Sequence, residues 1–67
     1  MINNDQELEV TQDRVRQFER QAALIRKTET DPESYRMSVS GFLAEIDRMN
    51  LEIREYLSSV PADHLAE

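Results

Sequence analysis

Residues 31–60, DPESYRMSVSGFLAEIDRMNLEIREYLSSV, decide the fold. Within them Tyr35, Val39, Phe42, Ile46, Met49, Ile53, Tyr56 and Val60 recur at spacings of four and three without a miss. Repeats of this kind lay one apolar seam along one side of a helix. Asp31 before Pro32 supplies the start. The carboxylate accepts from free N–H groups of the first turn, and proline at the first helical position loses no hydrogen bond there. Pro61 supplies the stop, because it disfavours helical geometry at Val60. The pattern predicts a helix over 32–59. Gly41 sits off the seam and costs about 1 kcal/mol of helix propensity against alanine.

Working upstream, Val15, Phe18, Ala22 and Ile25 repeat at three, four and three, the a/d register of a packed helix. Thr11 reads as its N-cap, with Asp13 in the first turn where the helix dipole favours a negative charge. The first helix is expected over 12–28. Residues 1–10, MINNDQELEV, hold three acids and no base, with weak alternation at Leu8 and Val10. They read as an extended lead-in, and 61–67 as a flexible polar tail. The connector within Lys27–Asp31 is short enough to force the two helices antiparallel and side by side. The expected fold is all-α, an antiparallel two-helix hairpin over residues 11–60.

Lengths bear on assembly. On the helical rise the first helix spans roughly 26 Å and the second roughly 43 Å. The half of helix two from Met49 to Val60 then lacks a helical partner within the chain. Residues 2–10 or a second copy would have to cover it. Leu43 and Leu57 also widen the apolar face on one side, and Met37, Ala44 and Leu51 form a further stripe at seven-residue spacing. With 67 residues and no Cys, the chain has no disulfide to staple it. An isolated hairpin buries too little to offset chain entropy. The expectation is a homodimer closing a four-helix bundle. Its interface residues would be Met37, Leu43, Met49, Leu51, Ile53, Tyr56 and Leu57.

The chemistry-bearing residues are sparse. His64 is the one imidazole, placed beyond Pro61, whereas a catalytic base or metal ligand needs a held position. No Glu-x-x-His pair marks a di-metal bundle, and the one Gly is mid-helix rather than in a phosphate loop. No catalytic, cofactor-binding or metal-ligating residue is expected, and no enzyme. Hydrophobic residues make up 39% and charged residues 33%, and no apolar run suits a membrane span or a signal peptide. A cytoplasmic protein without membrane contact is expected.

Charge is uneven under a net −6. Residues 11–30 carry five basic against three acidic side chains, a local +2, whereas 31–67 carry eight acids against three Arg, a local −5. Arg16, Arg20 and Lys27 share a side of helix one, clear of its seam, and form a candidate partner contact. The four aromatics all occupy seam positions, so the basic helix offers no exposed ring for base stacking. Direct nucleic-acid binding is therefore not the expectation.

The opening MINNDQELEVTQDRVRQFERQAALI, with its ELEVT stretch and Phe18-Glu19 pair, resembles a loose group of small bacterial two-helix proteins and N-terminal extensions. Asp31-Pro32, Tyr35, Ile46 and EIREYL at 52–57 resemble that group's second helix. Such units accompany helix-turn-helix regulators of the Xre type, some in toxin–antitoxin modules. The resemblance implies a regulatory or partner-binding module and transfers no catalytic residue. No helix-turn-helix follows the hairpin within these 67 residues, so DNA binding is not carried over. The reading is a non-enzymatic, self-associating helical interaction module in bacterial regulation. The alternatives are a nucleic-acid-linked transcriptional regulator and an acidic inhibitor of a basic partner protein. The last would act through Glu45, Asp47, Glu52 and Glu55.

Overall fold

A computed structural model describes residues 1–61. Its elements are two helices, α1 (Asp5–Thr28) and α2 (Pro32–Ser58), packed on each other as an antiparallel hairpin. The connector and the second helix follow the sequence closely. Asp31 caps α2, its carboxylate accepting from the Ser34 N–H at 3.0 Å. Arg26 and Lys27 lie in the last turn of α1, where the dipole favours cations. The Glu29 N–H returns to the Ile25 carbonyl at 2.8 Å and closes that helix. At the far end Ser59 is extended, one residue before the expected stop is complete, and its N–H reaches the Tyr56 carbonyl at 3.2 Å.

The first helix corrects the expectation. It begins at Asp5, so residues 5–10 are helix rather than an extended lead-in. The cap is Asn4, whose side chain accepts from the Glu7 N–H at 2.8 Å, while Glu7 Oε1 accepts from the Asn3 N–H at 2.8 Å. This reciprocal pair is close to a capping box. Thr11 is not a cap. It stands half-buried in the seam, one step in the series Leu8, Thr11, Val15, Phe18, Ala22, Ile25, and its hydroxyl donates to the Glu7 carbonyl at 2.8 Å. A β-branched polar residue that satisfies its hydroxyl on the preceding turn fits a helix interior. The expected 61–67 tail lies, apart from Pro61, outside the described residues.

Starting α1 seven residues earlier removes the length mismatch. At 24 and 27 residues the helices span about 36 and 40 Å, so α2 does not outreach α1 by a long overhang. Phe18 packs edge-on against Phe42, ring centroids 5.6 Å apart and planes at 89°. That register carries Asp5 to Tyr56, whose hydroxyl donates to Asp5 Oδ1 at 2.5 Å. By the same register Leu8 falls opposite Ile53. Burial is deepest mid-seam, where Val15, Ile46 and Met49 cluster with Phe18 and Ile53 against them. Val39 extends the core toward the connector, and Ile2 folds back to close it at the open end. No buried polar or charged side chain is found among the described residues, so the core of the seam is apolar and polar contacts such as Tyr56–Asp5 lie at its margin.

Candidate functional site

The seam consumes one side of α2, and the remaining surface is where function must lie. Of the seven expected interface residues, three belong to the hairpin itself. Met49 is 2% exposed, Ile53 packs against the core cluster, and Tyr56 is half-buried and bonded to Asp5. The expected cover for this part of α2 is residues 2–10 or a second copy. The earlier start of α1 supplies the cover from within the chain, so these three side chains are engaged in the hairpin. The other four are open to solvent: Met37 is 74% exposed, Leu43 48%, Leu51 56% and Leu57 61%.

Three of the four, Leu43, Leu51 and Leu57, do not scatter, and Met37 lies about 40° beyond Leu51 on the helical wheel. At 100° per residue Leu43, Asp47, Asn50, Leu51, Arg54 and Leu57 fall within an arc of about 120°. This second face is centred roughly 110° from the seam on the same wheel. Leucines stand at its two ends and near its middle, with Asp47 and Arg54 between them. A patch of large exposed apolar side chains rimmed by polar groups marks a contact surface more often than an isolated leucine does.

The two charges on this face have no ionic neighbour at helical spacing on α2. Asp47 is flanked at helical spacing by Leu43, Ala44, Asn50 and Leu51, and Arg54 by Asn50, Leu51, Leu57 and Ser58. Among the described residues neither joins an ion pair. They also lie seven residues apart on one helix, about 10 Å along its axis, and so cannot reach one another. Sequence reading grouped Asp47 with the other acids and passed over Arg54. A check of each charge against its neighbours three and four residues away would have separated them.

Two of the other acids of α2, Glu45 and Glu52, are already engaged. Arg48 forks between Glu45 and Glu52, each at 2.6 Å, and the Met1 ammonium reaches Glu52 Oε1 at 2.9 Å. The ammonium, first, and then Arg48 hold the Glu52 carboxyl below its usual value, and Arg48 does the same for Glu45. On α1, Arg16, Arg20 and Lys27 are all exposed on one side, as expected from their spacing. Arg16 pairs with Asp13, while Arg20 and Lys27 join no ion pair among the described residues.

Among the described residues no group of three or more His, Cys, Asp or Glu could hold a metal ion. His64 lies outside them. No described helix is long and apolar enough to cross a membrane. The surface clefts follow the ends of the hairpin. One at the connector is lined by Arg26, Asp31 and Tyr35, with the Arg26 guanidinium 5.9 Å over the Tyr35 ring. Two others flank the chain start, against Met49 and Glu52 on one side and Tyr56 and Leu57 on the other. No family model, curated protein or solved structure matches the chain.

Proposed function

We propose that the protein is a non-enzymatic helical interaction module that associates with itself and works by protein–protein contact, in bacterial regulation and in the cytoplasm. One observation carries this reading: α2 keeps four large apolar side chains in solvent, Met37, Leu43, Leu51 and Leu57, after its seam has been filled by α1. Covering three leucines removes apolar area from water at about 25 cal/mol per Å². A chain this small gains more from such covering than a large domain would. Light scattering across a concentration series tests the reading directly. A mass rising from one chain toward two supports it, and a one-chain mass up to millimolar protein would sink it.

A second reading draws on Arg20 and Lys27, in no ion pair among the described residues, which a nucleic-acid-linked regulator would turn toward phosphate. Steep loss of binding with added salt would favour it. The acidic-inhibitor reading has less support, because Arg48 already occupies two of its four carboxylates.

A further inference from the structure

We propose that the second face of α2 is the dimer surface, and that two copies meet there antiparallel, with the two-fold axis between Asn50 and Leu51. The proposal rests on the self-association reading above and specifies its geometry. A two-fold axis perpendicular to a helix pairs residues whose numbers have a constant sum. With the axis at this point Leu43 comes within one residue's rise of the partner's Leu57, and Leu57 within one of the partner's Leu43. Asn50 stands level with the partner's Leu51, and the two Asn50 residues flank the two-fold axis about 1.5 Å apart along the helix. Asp47 then stands level with the partner's Arg54, and Arg54 with the partner's Asp47. Both charges of this face, which join no ion pair among the described residues, thereby gain a partner.

The charges choose the orientation. A closed parallel pairing of the same face would set Asp47 on Asp47 and Arg54 on Arg54, two like-charge contacts among leucines. Like charges juxtaposed in an interface oppose association, and complementary ones fix register. Sliding the antiparallel pair by a turn would separate each carboxylate from its guanidinium and expose the outer leucines. Apolar residues therefore supply the attraction here, and the two ion pairs select one arrangement. Met37 lies outside the overlap, which runs from Leu43 to Ser58. In the antiparallel pair the two Met37 residues stand about 40 Å apart along the helix axis.

The full chain tests this by charge exchange and by cross-linking. Asp47→Arg and Arg54→Asp should each weaken the dimer by roughly tenfold or more in sedimentation equilibrium. The double exchange Asp47→Arg/Arg54→Asp should return the dissociation constant to within about threefold of wild type. Both side chains are solvent-exposed, so helicity should be unchanged in all three. The protein has no Cys, so a single introduced thiol reports its own neighbour. Asn50→Cys should oxidise to a covalent dimer quickly, and Met37→Cys slowly under the same conditions. A wild-type dimer that is indifferent to the exchanges, or that cross-links equally fast through both cysteines, would overturn this geometry while leaving self-association intact. A wild-type chain that stays monomeric would instead remove the self-association reading, and this surface with it.

Discussion

Helix α2 has two apolar faces of similar composition and opposite fate. Val39, Ile46 and Met49 are buried against α1, whereas Leu43, Leu51 and Leu57 stand in water. Hydrophobicity alone does not separate them, since the exposed face holds three leucines. Position does. The buried face keeps spacings of three and four along the whole helix, matching a seam of the same period on α1. The exposed face is interrupted by Asp47, Asn50 and Arg54, which no residue of α1 satisfies. A continuous seam suits a permanent intrachain contact. A face studded with unpaired charges suits a contact that must choose its partner.

The largest effect should come from deleting side chains on the two faces in turn. Met49→Ala removes the most buried side chain of the hairpin and should cost about 2–5 kcal/mol of stability. Leu51→Ala, at a residue of similar size on the other face, should change the stability of the isolated chain by about 0.5 kcal/mol or less. It should nevertheless weaken association. Chemical denaturation at low concentration, with light scattering at high concentration, checks both halves. Equal losses of stability from the two variants would erase the distinction between the faces.

A smaller effect concerns pH, and it too separates core from rim. The buried core of the seam, Val15, Val39, Ile46 and Met49, holds no carboxylate, so acid acts through the rim. Glu45, Glu52 and the Asp31 cap have carboxyls lowered from their usual 4.5, 4.5 and 3.8. For Asp31 the cause is its hydrogen bonds from Ser34, the backbone N–H first. A group held more acidic in the folded state stabilises it above the unfolded value and loses that contribution as pH falls through the folded one. Stability from these three should be level above about pH 5 and decline below about pH 4.5. Glu52→Gln should flatten part of that decline in acid melts. Tyr56 runs the other way: its bond to Asp5 raises the phenol from 10.0, so its contribution is lost as pH climbs past that point.

The seam of α2, its Asp31-Pro32 start and the antiparallel pairing were legible because each rests on local residue chemistry. The start of α1 was not. Thr11 looks like a cap and interrupts an apolar series, and only its hydroxyl bond to the Glu7 carbonyl makes it acceptable within a helix. The real signal, Asn4 followed three residues later by Glu7, is the capping signature displaced by about two turns upstream. That single boundary decided whether Met49, Ile53 and Tyr56 needed a second copy. Exposure of Leu43, Leu51 and Leu57 could not be read from spacing, because it depends on which side of α2 the first helix chooses. Their common arc with Asp47 and Arg54 could be read, once each charge was asked for its partner.

One face of α2 is satisfied within the chain, and the proposed dimer satisfies the other. Thermal melting at protein concentrations spanning a hundredfold range tests it most directly, because a partner that binds only the folded state makes Tm depend on concentration. Wild-type Tm should rise steadily with concentration, and the Leu43→Asp/Leu57→Asp variant should melt at one temperature throughout. A wild-type Tm that does not move, equal to that of the variant at every concentration, would contradict the account.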